Sequence, residues 1–236
     1  MTIWLSIESA TAVGSAAIGS QGTVLAELSF GDRRHAVALT PSIQELFKLA
    51  GKDFADLGGL IVADGPGSFT GLRIGWATAK GIFRAHPRLE FRSAPSMLVS
   101  AWGHREAGDG RVGVWYDALR GDVFAAVYDF RTSPIGIDLP PTRTSPGALV
   151  VAGGGPPAVV GDGVTAFPDE AAQWTGRAPS GPLGGVPRAR ALLELLRVDG
   201  ASAEVVDPLA FEPTYGREAE AQVRWEAEHG RPLPHS

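Results

Sequence analysis

The sequence contains no cysteine and only scattered histidines. None of its 236 residues is Cys, which excludes disulfides, thiolate metal sites and a cysteine nucleophile, and is typical of a protein from a reducing compartment. The five histidines form neither an H-x-x-x-H nor an H-E-x-x-H pair, the spacings that place two metal ligands on one helix face. We therefore predict no metal site and no metalloprotease chemistry in this chain.

The sequence also lacks a basic excess and long apolar runs. Its formal net charge of −5 and pI near 5.5 argue against a protein that holds nucleic acid on a broad basic surface. No run approaches the roughly 20 apolar residues of a membrane span. The first residues have no basic segment and reach Glu8 too early for a signal peptide. We expect a cytoplasmic protein that does not associate with membranes.

What is present predicts a folded α/β chain with many turns, given 44% hydrophobic residues, 31 glycines and 18 prolines. Alternation and turn signals predict strands at 3–9, 14–19, 23–30, 89–92, 111–118, 122–130, 148–152 and 158–161. Helical spacing predicts helices at 35–50, 96–102, 186–198 and 217–228, and a loop is predicted at 132–146. The polar segment 103–110 is the best candidate for a boundary between lobes.

Residues 63–75 carry most of the functional signal. An apolar strand ends at Ala63, and Gly65, Gly67 and Gly71 follow in a tight turn into a helix that Ser68 or Thr70 could cap. Their G-x-G-x-x-x-G spacing is one residue longer than the dinucleotide fingerprint, and no Lys-Ser or Lys-Thr pair completes a P-loop. Such a turn still aims backbone N–H groups and a helix dipole at one point. The resulting candidate anion or nucleotide-adjacent set consists of Gly65, Gly67, Ser68, Thr70 and Arg73. A purely structural turn is the alternative.

A strip of small residues runs along the helix after this turn. Gly71, Gly75 and Ala79 recur every four residues, and each glycine costs about 1 kcal/mol in a helix interior relative to alanine. Close packing against another element is the expected compensation. The spacing leaves open whether that element belongs to the same domain or to another subunit.

Residues 65–75, Gly-Pro-Gly-Ser-Phe-Thr-Gly-Leu-Arg-Ile-Gly, resemble the hallmark of the TsaB (YeaZ) family, bacterial proteins needed to make threonylcarbamoyladenosine in tRNA. The segments 7–11, 117–124 and 212–217 are similar to further family patterns. The resemblance implies an α/β, two-lobed actin-like fold of the ribonuclease H type, with mixed sheets flanked by helices. The expected lobes are 1–105 and 106–236, and we allow the tail, residues 207–236, to pack back on the first lobe.

The resemblance also implies a non-catalytic scaffold that pairs with a TsaD-like transferase, with helices near 35–50 and 70–85 at the contact. It implies a TsaE-like ATPase as third partner and contact with tRNA only through the complex. Self-association through the same smooth helix, giving a homodimer when the partner is absent, is a third possibility. No catalytic residue and no intrinsic cofactor is expected, because ATP and metal would belong to the partner. The expected partner-interface residues are His35, Leu39, Gly71, Leu72, Gly75, Trp76 and Ala79.

The alternative is an independent actin-like ATPase or a glycoprotease-like hydrolase. Catalytic relatives hold phosphate near an acid in the first hairpin, where this chain has Glu8 in place of the usual Asp and lacks a nearby Gly. Asp117 and Asp122 could form a pair of catalytic acids, although acids at a hairpin tip more often shape the turn. No G-x-S-x-G elbow is present.

Overall fold

The computed structural model describes residues 2–31, 35–107, 109–178 and 185–215, together with residues 225 and 228–230. Within these residues the chain forms two β-sheets with helices between and around them. This arrangement confirms the predicted α/β class with mixed sheets flanked by helices.

The first sheet has six strands in the order β10-β5-β4-β1-β2-β3. Its strands are β1 (Ile3–Glu8), β2 (Gly14–Ser20), β3 (Thr23–Phe30), β4 (Leu57–Ala63), β5 (Glu90–Ala94) and β10 (Ala203–Glu204). β1, β2 and β3 form an antiparallel meander, whereas β4 and β5 run parallel to β1. A meander followed by parallel strands with helical crossovers is the ribonuclease H-type order.

Helices cover both faces of this sheet. α1 (His35–Leu49) and α2 (Phe69–Ala85) pack on one face, and α7 (Ala189–Leu195) packs on the other beside α3 (Ser96–Trp102). Every residue of β1 is buried as a result. A strand covered on both faces is expected to be a near-continuous apolar run, as the Ile-Trp-Leu-Ser-Ile segment of β1 is.

The second sheet has four strands in the order β8-β7-β6-β9. They are β6 (Arg111–Leu119), β7 (Asp122–Asp129), β8 (Gly136–Thr144) and β9 (Ala158–Val160), and only β6 and β9 are parallel. One face shares an apolar core with α3 and α7. The other face is covered by α4 (Pro146–Ala152), α5 (Asp162–Ala166) and α6 (Pro168–Thr175). The two sheets therefore enclose a helical layer built from α3 and α7.

Two predicted elements were wrong. Residues 132–146, predicted as a loop because of their prolines, contain β8, which pairs only with β7. An edge strand tolerates proline because one side of its backbone forms no ladder bonds. Residues 148–152, predicted as a strand, belong to α4, whose N-cap Ser145 accepts a hydrogen bond from the N–H of Ala148 at 3.3 Å. This cap and a proline in the first turn outweigh the strand preference of the valines.

The described part of the tail packs on the first sheet and on α2. The N–H of Val205 donates to the carbonyl of Phe91, and the N–H of Thr214 donates to that of Asp64, both at 2.8 Å. Phe211 stacks on Trp76 with ring centroids 4.4 Å apart. The boundary near residue 105 stays a prediction, and most of the helix predicted at 217–228 lies outside the described residues. No described helix is both long and apolar enough to cross a membrane.

Candidate functional site

The glycine-rich turn joins β4 to α2, as the sequence predicts. α2 begins at Phe69, and the hydroxyl of Ser68 caps it by accepting the N–H of Gly71 at 3.3 Å. Thr70, the other candidate cap, lies exposed in the first turn of the helix. Ser68 has both the position and the bond of an N-cap residue.

Backbone donors of the turn are used within the chain. The N–H of Gly65 donates to Oγ of Ser96 at 3.0 Å, and the N–H of Ser68 donates to the carbonyl of Ala10 at 2.7 Å. Two N–H groups of the candidate anion set, and that of Gly71 beside it, therefore have intramolecular acceptors. The turn is therefore stable without a ligand. Anion binding there stays a prediction, and Arg73 is the member of the set that faces an open pocket.

The small strip of α2 packs against the first hairpin of the same chain. A Cβ on Gly67 would overlap Ala10, one on Gly71 would overlap the carbonyl oxygen of Ser9, and one on Gly75 would meet the hydroxyl of Ser9. The glycines let the helix approach the backbone that follows β1. Of the two packing alternatives left open by the sequence, the structure supplies the one within a single chain.

The other expected interface residues are also placed inside the chain. Leu39, Leu72, Trp76 and Ala79 are each no more than 2% exposed. α1 begins at His35, whose side chain lies outside the described residues. Because these residues are buried, they offer no surface to a partner. Contact of a partner with this set stays a prediction, and the exposed surface of the same helices lies on the outer faces of α1 and α2.

A pocket of about 360 Å³ lies where the tail crosses the N-terminal half of α2. It is lined by Phe69, Arg73, Trp76, Ala77, Lys80, Glu212 and Tyr215. The guanidinium of Arg73 lies 5.3 Å from the ring centroid of Phe69, and that ring is 4.8 Å from the ring of Tyr215. Two aromatic rings and two cations therefore share one small concavity.

Glu212 is held in its charged form at one side of this pocket. The hydroxyl of Tyr215 donates to Oε2 of Glu212 at 2.7 Å, and Nζ of Lys80 lies 3.6 Å from Oε1. The Tyr215 hydrogen bond, helped by the charges of Lys80 and Arg73, lowers the pKa of Glu212. Partial burial and the same hydrogen bond raise the pKa of Tyr215 to about 12, so its hydroxyl stays protonated.

Glu8, the acid of the first hairpin, is sealed inside the fold. Its residue exposure is 0%, and Oε1 accepts the N–H of Ala10 at 3.0 Å. Among the described residues, Oε2 of Glu8 and Oγ of Ser9 have no hydrogen-bond partner. Burial raises the pKa of Glu8 to about 8. The carboxyl therefore carries a proton at neutral pH and presents no surface to a nucleotide.

The hairpin acids shape local structure. Oδ1 of Asp117 accepts the N–H of Leu119 at 2.8 Å, which is a turn bond, and Asp122 pairs with Nε of Arg143 at 3.0 Å. The described residues contain no group of three or more His, Asp or Glu side chains that could hold a metal ion.

The chain is similar to known proteins in both sequence and fold. The family model described as TsaD, tRNA N6-adenosine threonylcarbamoyltransferase, matches residues 23–136. The chain is 34% identical over 126 residues to the tRNA threonylcarbamoyladenosine biosynthesis protein TsaB of Escherichia coli, covering 52% of this chain and 54% of that protein. It is 32% identical over 133 residues to the Bacillus subtilis protein of the same name, covering 56% of each. The chain is similar to proteins of the TsaB (YeaZ) family. The matches span only about half the length of these curated TsaB relatives.

The similarity in fold extends beyond the segments matched in sequence. It resembles YeaZ from Pseudomonas aeruginosa with a TM-score of 0.71 at 22% identity, over 91% of this chain and 100% of that one. A second Pseudomonas aeruginosa structure, described as similar to peptidase YeaZ, gives 0.69 at 22% identity. These likenesses establish the fold.

The pocket at α2 is the feature that sequence reasoning missed. Arg73, Ala77 and Lys80 are spaced by four and three, so a common helix face was detectable. Glu212 and Tyr215 were recognised only as parts of a family-like ending. Nothing in their positions, 127 and 130 residues after α2 ends at Ala85, indicates that they close a pocket over it.

Proposed function

We propose that this chain is a non-catalytic subunit in the biosynthesis of threonylcarbamoyladenosine in tRNA, and that it binds and activates a TsaD-like transferase. The observation that carries the proposal is the match to two TsaB proteins whose names give that pathway. Residues 65–75, which carry the resemblance, form the turn after β4 and the first part of α2.

The state of Glu8 supports a non-catalytic role. An acid that holds a nucleotide through a metal ion needs an accessible, charged carboxylate, whereas Glu8 is buried and burial raises its pKa to about 8. The loop after it is held by α2 through the bond from Ser68 to Ala10 and the close packing of Gly71 on Ser9. Opening the loop to a nucleotide would break these contacts. ATP and metal would therefore be held by the partner subunits.

The outer faces of α1 and α2 supply the surface for that partner. Val37 on α1 is 70% exposed, and Ala77 and Gly81 lie exposed on α2 at a spacing of four. A Cβ on Gly81 would meet nothing within 4 Å, so the fold itself gives no reason for glycine there. A glycine in an exposed helix costs about 1 kcal/mol relative to alanine. Close approach of a partner helix at Gly81 would compensate this cost.

The proposal also includes the expected homodimer, the third partner, the contact with tRNA and the location in the cell. Self-association through the outer faces of α1 and α2 would give a homodimer when the chain is alone, and a TsaE-like ATPase would join the mixed complex. An acidic chain without a broad basic surface would meet tRNA through its partners, in the cytoplasm.

The test is the light-scattering mass of this chain alone and mixed with the TsaD-like protein of the same organism. We expect a stable mixed complex that Gly81→Leu weakens at least about tenfold, because leucine would separate two closely packed helices. Gly147→Leu is the matched control, since Gly147 is exposed on α4 with open space around it. Circular dichroism would show that both variants stay folded.

Two results would contradict the proposal. One is the absence of any mixed complex when ATP and the TsaE-like protein are supplied. The other is ATP turnover or peptidase activity by the purified chain alone, which would support the alternative of an independent ATPase or hydrolase.

A further inference from the structure

The two cations of the α2 pocket differ in how they are compensated. Lys80 lies 3.6 Å from the carboxylate of Glu212, whose other oxygen accepts the Tyr215 hydroxyl. Arg73, about two turns of α2 earlier, is exposed and is placed over the ring of Phe69. Within the described part of the chain, no carboxylate lies within 4 Å of the Arg73 guanidinium. The pocket thus carries one positive charge more than it neutralises.

We propose that this pocket receives one carboxylate side chain, an Asp or Glu, of the protein partner that docks on α2, and that Arg73 binds it. The proposal rests on the proposed function and specifies a contact within it. A guanidinium binds a carboxylate through two parallel hydrogen bonds, and the resulting pair is stronger when water is excluded. The rings of Phe69 and Tyr215 would form the dry wall beside such a pair.

Charge and geometry favour a single carboxylate over a nucleic acid strand. Proteins that grip nucleic acid neutralise several phosphates in a row. Here the lining has two cations and one carboxylate, so its net charge of +1 is too small to neutralise a row of phosphates. A single monoanion matches the net charge of the pocket. The cation–π contact between Arg73 and Phe69 holds the guanidinium in place before the partner arrives, which lowers the entropic cost of binding.

The pocket also adjoins the surface proposed for the partner. Ala77 belongs both to the wall of the pocket and to the exposed small strip of α2. A helix that packs closely on Ala77 and Gly81 would bring its own side chains to the mouth of the pocket. An acidic residue on that helix would then lie close to Arg73.

The test measures the affinity of the mixed complex by calorimetry at about 50 mM and about 300 mM salt. Arg73→Gln is expected to weaken the complex about tenfold at low salt and to reduce its salt dependence. Arg177→Gln is the matched control, since it removes the same charge from an exposed residue beyond α6. Equal affinity and equal salt dependence for the two variants would overturn the pocket assignment while leaving the mixed complex, and hence the proposed function, intact.

A double-mutant cycle identifies the partner's acid. Each surface Asp and Glu of the TsaD-like protein is changed to the corresponding amide and tested against this chain with and without Arg73→Gln. One of these changes is expected to cause a loss of about tenfold that disappears in the Arg73→Gln background. The absence of any such coupled residue would overturn the proposal, as would Arg73-dependent binding of tRNA to this chain alone.

A small probe separates failure of the pocket from failure of the proposed function. If the unmodified chain forms no mixed complex, the proposed function fails. The pocket is then titrated with propionate, a monocarboxylate, while the side-chain N–H signals of Arg73 and Trp76 are followed by nuclear magnetic resonance. Saturable shifts in the unmodified chain that Arg73→Gln removes would support a carboxylate site, and unchanged spectra would overturn it.

Discussion

Gly71 on α2 lies directly against the backbone carbonyl of Ser9 in the loop that follows β1. A Cβ at position 71 would overlap this carbonyl oxygen, and backbone atoms cannot move aside as a flexible side chain can. We expect Gly71→Ala to lower the free energy of unfolding by about 2 to 3 kcal/mol, because α2 must shift away from the loop. Urea denaturation followed by circular dichroism measures this change.

Gly81, on the same helix, provides the control. The space around it is open, so Gly81→Ala is expected to raise the free energy of unfolding by about 0.5 to 1 kcal/mol through helix propensity alone. Equal effects of the two substitutions would contradict the close packing of α2 on the first hairpin.

The strand, turn and helix around Gly71 could be predicted from the sequence because their signals are local. The apolar run of β4, the cap Ser68 and the periodicity of α2 lie within about thirty residues. The contact between Gly71 and Ser9 could not be predicted. Spacing shows that one helix face is small, but only the fold shows which backbone fills that face.

Glu8 should make the stability of the protein depend on pH. Burial raises its pKa in the folded state to about 8 from an ordinary value of 4.5. Between these values the folded protein holds a proton that the unfolded chain releases, so stability falls as pH rises through this window, by at most about 1.4 kcal/mol per pH unit. Burial also raises the pKa of Asp64, to about 6, which adds a fall in the same direction at lower pH.

Above about pH 7 Asp64 is ionised in both states, so the slope there reports mainly Glu8. We expect Glu8→Gln to flatten the free energy of unfolding between pH 7 and pH 8, because glutamine cannot ionise and can still accept the Ala10 N–H. Glu106→Gln, which changes an exposed residue, should keep the slope of the unmodified protein. A Glu8→Gln curve parallel to that of the unmodified chain would show that Glu8 is charged in the folded state.

Tyr116 connects the second sheet to α3 through buried hydrogen bonds. Its hydroxyl lies 2.9 Å from the carbonyl of Ser96 and 2.6 Å from Oγ of Ser100. Tyr116→Phe would leave these groups without the hydroxyl in a site that excludes water, and we expect a loss of about 1 to 3 kcal/mol in the free energy of unfolding. Thermal and urea unfolding measure the loss.

Tyr215→Phe removes a hydroxyl of the same kind from an exposed hydrogen bond with Glu212. Its expected effect on stability is below about 0.5 kcal/mol, because water replaces the lost partner. If both substitutions changed the free energy of unfolding equally, burial would not explain the contribution of the Tyr116 hydrogen bonds to stability.

The pocket on α2 illustrates why a site is harder to predict than a strand. The spacing of Arg73 and Lys80 predicts that they share one face of α2. Glu212 and Tyr215 reach that face only because β10 pairs with β5 and the tail then bonds to Asp64. Long-range pairing of a two-residue strand leaves almost no trace in the sequence. The predictions for the segments that form β8 and α4 were wrong for the opposite reason, because local signals were present there but conflicted with one another.

The tail should be released from α2 by the loss of one ring. Phe211 stacks on Trp76 at 4.4 Å, and three residues later the N–H of Thr214 bonds to Asp64. Phe211→Ala removes the stacking and part of the apolar contact, together worth at least about 1.4 kcal/mol, so hydrogen exchange at the Thr214 amide should become about tenfold faster or more. Phe54→Ala is the control, because Phe54 stacks on Phe47 of α1. Unchanged exchange at Thr214 in the Phe211 variant would mean that the backbone bonds hold the tail without the ring. The pocket would then persist in that variant, and Arg73 would keep its aromatic wall.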